Sequence, residues 1–256
     1  MSTQQEKATL FTSLHIPGNP VIIYNGWDAG SIKVIASSGA KVVGTGGHGV
    51  AESLGYEDGE NMPIDALMEN TRRIVVTTDL PVTIDIDGGY GESPMEVSAT
   101  VTKAIEAGAV GINFEDQNVG GEGVHETVVQ AARIMAARKA ADDAQVPLFI
   151  NSRTDIFRLA SDPSKHAGLL AEAIERATAY RQAGASGFFA PGLTDIDLIR
   201  QLCEASPLPV NILKIPGSPT HNELAAAGVA RISYGPFPWL AMLAWLKVQA
   251  NEAYNS

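Results

Sequence analysis

Apolar and β-branched residues gather in eight short runs along the chain, at 21–25, 42–46, 82–87, 111–116, 148–155, 187–192, 210–214 and 231–235. Near-continuous apolar runs of this length predict parallel strands buried on both faces. Between them lie segments with helical spacing. Over 63–78, Ile64, Leu67, Met68, Ile74 and Val75 fall on one stripe. The segment 94–107 starts after Ser93, an N-cap followed by Pro94 at the first helical position. Segments 126–144, 167–183, 195–205 and 222–227 are rich in good helix formers. Four of the strands follow a similar tripeptide centred on Gly39, Gly108, Gly184 or Gly228, where a helix can end left-handed before the chain turns. Strand and helix alternating in this way predict a (β/α)8 barrel (TIM barrel), an α/β fold. A doubly wound open sheet is the alternative, but no G-x-G-x-x-G follows the first strand.

The chain has 256 residues, 45% hydrophobic and 18% charged. These values suit one barrel domain over 1–256, with the apolar tail 236–256 as a C-terminal oligomerisation helix. The net charge of −11 repels phosphate backbones and anionic lipid, so neither nucleic acid nor a membrane surface is an expected partner. One cysteine, Cys203, excludes an intrachain disulfide and a cysteine-rich zinc site. The first residues lack the basic start and apolar run of a signal peptide, and 236–248 is too short to span a bilayer. A cytoplasmic protein is expected.

In a barrel, the C-terminal ends of the strands build the active site. At the end of the third strand stands Asp85-Ile86-Asp87-Gly88-Gly89. Alternation along a strand puts Asp85 and Asp87 on one side, where two carboxylates repel unless a cation or proton lies between them. The next strand ends in Glu115-Asp116, and Asp58 in the loop after the second strand can reach the same rim. Hard oxygen ligands of this kind suit Mg²⁺. Solvated or capping acids are the plainer explanation. Arg153 on the fifth strand can take a substrate carboxylate through two hydrogen bonds, or form an ion pair with Glu115 or Asp87. The turn Thr45-Gly46-Gly47 offers main-chain N–H groups to an anionic oxygen, or is merely a turn. Asn211 can bond substrate or backbone. Lys214, late on its strand, reads as a snorkelling side chain rather than a Schiff-base lysine.

These segments, together with Asn25-Gly26-Trp27-Asp28-Ala29-Gly30-Ser31, Ser53-Leu54-Gly55-Tyr56-Glu57-Asp58-Gly59 and Asn151-Ser152-Arg153-Thr154-Asp155, resemble the isocitrate lyase/phosphoenolpyruvate mutase superfamily. The resemblance runs from about residue 8 to about residue 246. It implies a (β/α)8 barrel whose last helix is exchanged between subunits of a homodimer or homotetramer. It also implies Mg²⁺, or Mn²⁺ in its place, held largely through water by Asp58, Asp85, Asp87 and Glu115. Arg153 would bind the carboxylate of a small substrate. Thr45, Gly46 and Gly47 would receive a carboxylate or enolate oxygen. Tyr24, Asp85 and Asn211 complete the expected substrate contacts. The shared chemistry is a pyruvate-like enolate formed by breaking a C–C or P–C bond.

The loop after the fourth strand departs from the family. It reads Gln117-Asn118-Val119-Gly120-Gly121-Glu122-Gly123-Val124-His125, with neither the lyases' Lys-(Lys/Arg)-Cys-Gly-His motif nor the mutases' Lys and Asn-Ser pair. Glu122 and His125 are the remaining candidates for proton donor. The expected function is a Mg²⁺-dependent lyase acting on a small 2-oxo or 2-hydroxy (di)carboxylic acid. A phosphonate-directed enzyme and a non-catalytic carboxylate-binding barrel are the alternatives.

Overall fold

The structure is a computed structural model and describes residues 2–255. Nine parallel strands form one sheet: β1 (Val21–Ile23), β2 (Asn25–Gly26), β3 (Val43–Thr45), β4 (Val82–Asp85), β5 (Gly111–Glu115), β6 (Phe149–Arg153), β7 (Gly187–Phe189), β8 (Val210–Leu213) and β9 (Arg231–Ser233). The sheet order is β1-β9-β8-β7-β6-β5-β4-β3-β2. Its two ends are consecutive pieces of one predicted strand. That strand breaks at Tyr24, pairing with β9 before the break and with β3 after it. The expected barrel is therefore present, closed across a seam in its first strand.

Helices surround the strands: α1 (Gln4–Ser13), α2 (Ala29–Ser37), α3 (Gly47–Ser53), α4 (Ile64–Val75), α5 (Pro94–Glu106), α6 (Thr127–Asp143), α7 (Ile156–Leu159), α8 (His166–Gln182), α9 (Ile196–Ala205), α10 (His221–Ala226) and α11 (Phe237–Asn255). The predicted α4 stripe packs on the barrel, with Leu67, Met68 and Ile74 buried and Ile64 and Val75 at its margins. Ser93 caps α5 in a capping box with Glu96, worth about 1 kcal/mol. Gly39, Gly108, Gly184 and Gly228 all have positive φ, so the turn repeated in the sequence is the helix-ending turn it resembles. The loop expected after the second strand opens instead as α3, whose glycine-rich start hid its helical character.

Many inward-facing positions in the middle of the barrel are polar. Thr83, Asn113, Asn151, Asn211, Arg231 and Ser233 are all buried. The bottom is closed by aromatic rings: Phe11 from α1, His15 beside it and Phe149 from β6. His15 stacks on Phe149 with centroids 3.9 Å apart. Space for these rings comes from glycines at neighbouring inward positions. A Cβ on Gly187 would lie 2.8 Å from the Phe149 ring. Full burial of Phe11 contributes about 2 kcal/mol. Burial pulls His15 down to about 3, with Arg231 assisting, so the ring is neutral and Nδ1 donates to Phe11 O at 2.8 Å.

α11 lies largely off its own barrel. Its residues Trp245 and Val248 are 62% and 52% exposed, and Pro238 is its one buried residue among those described. Trp239 packs against Trp27 near the helix start. Next to the seam, an apolar groove of about 510 Å³ runs between Leu14, Ile16, Pro20, Ile22, Val34 and Ile35. No described helix is long and apolar enough to cross a membrane.

Candidate active site

A cleft of about 580 Å³ opens at the C-terminal ends of the strands. Asp58, Asp85, Asp87, Glu115 and Arg153 all line it, together with Gly46 and Gly47. The residues expected at the mouth of the barrel are thus brought together, although one by a different route. Strand β4 ends at Asp85, and Asp87 follows in a left-handed turn with φ of 46°. It reaches the cleft by that turn and not by strand alternation. Gly47 is required by close approach: a Cβ there would lie 2.7 Å from Asp87 Oδ1.

Arg153 is the electrostatic centre. Nη1 lies 2.7 Å from Glu115 Oε2 in an ion pair, while Nε and Nη2 donate to the two Asp155 oxygens at 2.7 and 2.9 Å. Arg158 Nη2 adds a bond to Asp155 Oδ2 at 2.8 Å. Burial works to raise Asp155, but Arg153 and Arg158 hold it below the ordinary carboxylate range. The ion pair weighed from the sequence therefore exists, with Glu115 and Asp155 as its acids. The two bonds to Asp155 use two of the five guanidinium N–H groups, so the Nη1 end, beside Glu115, keeps N–H groups for a ligand.

The other carboxylates are less well matched. Asp85 Oδ2 accepts from Gly47 N–H at 3.2 Å, and the Asp85 amide donates to Thr45 Oγ1 at 3.2 Å. Burial raises Asp85, and burial with like charge from Asp85 and Glu115 holds Asp87 well above its ordinary value. Burial also pushes Glu115 up to about 8 despite its bond to Arg153, because one guanidinium is shared among several acids. Asp58 stands at the half-exposed rim, its Oδ2 3.3 Å from His48 Nδ1. Carboxylate oxygens of one sign, gathered with too few cations to match them, fit a hard divalent cation. Among the described residues no three acidic, histidine or cysteine side chains converge as a ready-made metal cage. That arrangement suits an ion that keeps much of its water.

A stability consequence follows. An acid whose folded pKa exceeds its unfolded value favours the fold fully below the unfolded value and loses that contribution as pH rises through the folded one. The metal-free protein is expected to lose stability from about pH 4.5 to about pH 8, the span over which Glu115 is shifted. Asp155 acts oppositely and only at the acid end, since its pKa is lowered. Melting temperatures recorded across this range should fall, and Mg²⁺ should flatten the curve. A rising curve without metal would contradict the assignment.

Other expected residues lie elsewhere. Tyr24 sits at the strand break, 46% exposed, with its ring 4.9 Å from that of Tyr234 on the groove side. Alternation points its neighbour Asn25 inward instead. Asn25 Oδ1 accepts from the Tyr234 and Gly235 amides, and its Nδ2 donates to Thr45 O. Asn211 Nδ2 donates to Ser233 Oγ at 3.1 Å, beneath the cleft. Gly46 N–H is spent on Gly26 O and Gly47 N–H on Asp85. Lys214 Nζ is held by the carbonyls of Ser218 and Pro219. Asp116 is turned away from the rim. It accepts from Tyr180 Oη, Arg176 and the Asp155 amide in the helical layer. In the loop, Gln117, Val119 and Gly120 face the cleft. Glu122 is exposed at the tip, and His125 is half-buried with its amide bonded to Asp116 O.

Arg133 on α6 carries no signal in the sequence as a site residue, yet it holds the acidic turn. Its Nη2 donates to Gly88 O and to Gly91 O, the latter at 2.8 Å. Nη1 donates to Gln130 Oε1 at 2.6 Å, and Gln130 Nε2 donates to Glu115 O at 3.1 Å. The guanidinium also lies 5.1 Å from the centre of the Phe114 ring.

Fold and cleft together define a (β/α)8 barrel with an acid-lined mouth. The chain belongs to the phosphoenolpyruvate phosphomutase family, within the isocitrate lyase/phosphoenolpyruvate mutase superfamily, the family model matching residues 11–254. It is 33% identical to the 2-methylisocitrate lyase of Escherichia coli K12 over 264 aligned positions, covering 95% of this chain and 85% of that protein. A crystal structure from Burkholderia cenocepacia J2315, provisionally described as a phosphonomutase, superposes with a TM-score of 0.95 at 45% identity, covering 98% of this chain and 100% of that one. A phosphonopyruvate hydrolase solved with oxalate and Mg²⁺ shares the fold at a TM-score of 0.82 and 19% identity, covering 98% and 88%.

Proposed function

We propose that this protein is a divalent-metal-dependent lyase acting on a small 2-oxo or 2-hydroxy (di)carboxylic acid by C–C cleavage or decarboxylation. The observation that carries the reading is the cluster of half-buried Asp85 and Asp87 with buried Glu115 facing the Arg153 guanidinium. Relatives that are lyases of methylisocitrate support it, as does the metal and oxalate bound to the phosphonopyruvate hydrolase. Asp58, Asp85, Asp87 and Glu115 would hold Mg²⁺ or Mn²⁺, which when bound supplies stabilisation of negative charge on substrate oxygens.

The chain's own groups do the rest. The N–H groups of Arg153 not bound to Asp155 bind the substrate carboxylate and fix its plane. Gly46 and Gly47 bring the main chain against the carboxylates with no side chain between. The electron pair of the breaking bond stays on the substrate as an enolate, which charges fixed in a dry cleft stabilise without reorganising. A proton then quenches the enolate carbon. Delivery by Glu122 or His125 requires the loop at 117–125 to fold inward, since both lie outside the cleft here.

Oxalate mimics the enolate, and calorimetry of oxalate binding with and without Mg²⁺ tests the reading. Binding should need the metal and be lost in Asp85→Ala. Binding in neither metal state would overturn the proposal. The second reading, a phosphonate-directed enzyme, draws on Arg158 as an additional cation lining the cleft. Formation of phosphoenolpyruvate or release of phosphate from phosphonopyruvate would replace the first reading with it.

We further propose a homodimer or homotetramer in which α11 seats on the groove beside the seam of a second copy. Exposed apolar residues of α11, Leu240, Trp245, Leu246 and Val248, and that apolar groove are both left uncovered within one chain. Light scattering after chromatography should give a multiple of the chain mass. Trp245→Glu should shift it toward the monomer, and a wild-type monomer would refute the exchange.

A further inference from the structure

The floor of the cleft contains a polar group that the enolate chemistry above does not use. Asn113 lines the cleft and points inward from β5, in register with Asp85 on one side and Asn151 on the other. Its Oδ1 accepts from Asn151 Nδ2 at 2.9 Å and from Arg231 Nη2 at 3.0 Å. Two donors on one carbonyl oxygen fix which way the amide lies, because a flipped amide would set N–H against N–H. The Nδ2 group is therefore turned away from both donors. No acceptor among the described residues takes it.

Arg231 beneath is an unusual support. It is 1% exposed, and its hydrogen bonds go to neutral partners, Asn113 and Ser233 Oγ. Its Nη1 has no partner among the described residues, and Asn151 Oδ1 is also unpartnered. Burying a cation without a direct counter-ion is costly, so this side chain does not serve stability alone. Set under a donor that faces the cleft, it makes that spot attractive to an anionic oxygen.

We propose that Asn113 is a specificity-determining residue that donates its amide N–H to an oxygen at the far end of the substrate, and that Arg231 is the positioning residue holding it there. The proposal rests on the enolate-site reading and adds a length to the substrate. Asn113 lies one inward step below Glu115, which is in register with Arg153. Two residues along a strand set Cα atoms about 7 Å apart, and the Arg153 guanidinium is held further out still by Asp155. The oxygens of a two-carbon acid cannot bridge that span. A four-carbon 2-oxo or 2-hydroxy dicarboxylate can, with one carboxylate on Arg153 and the other on Asn113.

The test compares two probes, oxalate and (S)-malate, each titrated with Mg²⁺ present. Asn113→Leu removes the donor. Asn113→Asp keeps the acceptor for Arg231 and Asn151, hence the packing, but turns an oxygen toward the ligand. Both variants should lower malate affinity relative to oxalate by about tenfold or more, the effect of losing one hydrogen bond to a charged group. Arg231→Gln should lower the same ratio, and Arg231→Lys should restore part of it. A ratio unchanged in Asn113→Asp overturns the proposal, as does equal weakening of both probes. Wild type that binds oxalate but not malate overturns the proposal while leaving the enolate site intact. Wild type that binds neither overturns both.

Discussion

Replacing Arg153 by Met should lower turnover by about a hundred- to a thousandfold, the range seen when one charge-stabilising donor is removed from a catalytic site. The same change should destabilise the protein by about 3–5 kcal/mol, since it strips a buried ion-pair network of its cation. The two acids respond differently. Glu115 already stands at about 8 and can take up a proton near neutrality. Asp155 is buried and held low, so it bears most of the penalty, with only Arg158 left to answer it. Arg153→Lys should not rescue either property, because an ammonium cannot grip both Asp155 oxygens and Glu115 at once. Turnover assays and thermal unfolding check the two halves separately. Full stability with lost turnover would mean that Asp155 is neutral in the native protein.

Arg133→Met should have the second largest effect, though the residue does not line the cleft. Three acceptors lose their donor: Gly88 O, Gly91 O and Gln130 Oε1. At about 1–3 kcal/mol for each buried group left unsatisfied, reduced by relaxation and by entry of water, the net loss is about 3 kcal/mol. The turn carrying Asp87 is then free to move, and so is the Glu115 backbone through Gln130. Support of this kind typically governs metal affinity by about 10–100-fold. Calorimetric titration of Mg²⁺ with oxalate present should show that weakening. A variant that melts early yet binds Mg²⁺ and oxalate normally would reduce Arg133 to a packing residue.

Much of this arrangement is legible in the sequence, and the rest is hidden for definite reasons. Parallel strands buried on both faces declare themselves as apolar runs, and the four turns at Gly39, Gly108, Gly184 and Gly228 mark the way from helix to strand. Asp85, Glu115 and Arg153 are found because they end strands, and strand ends share one face of a barrel. Asp87 arrives for another reason, a left-handed residue that no alternation rule contains. Tyr24 was expected among the substrate contacts, but the break in its strand turns it outward and Asn25 inward. Arg133 and Arg231 could not be read at all. One is an arginine in an alanine-rich helix and the other an arginine opening a strand, and both patterns ordinarily mean a solvated side chain. Their burial follows from tertiary geometry: an acidic turn full of unpaired carbonyls, and a barrel interior lined with amides.

The seam at Tyr24 divides the barrel wall unequally. On its two sides the ladders hold three residue pairs between β1 and β9 and two between β2 and β3, against five between β5 and β6. Cooperative units of a fold differ in local stability, and short ladders open first. The cleft straddles this difference. Asn113, Glu115 and Arg153 hang from the best-knit staves, whereas Asn25, Gly46, Gly47 and Gly235 stand along one of the looser joints, the ladders between β3 and β4 and between β7 and β8 being as short. A small molecule gripped from both sides acts as a hoop around staves, tightening a joint where the wall can breathe. Occupancy of the mouth and integrity of the barrel are then a single thermodynamic quantity, and the empty protein is the leakier vessel.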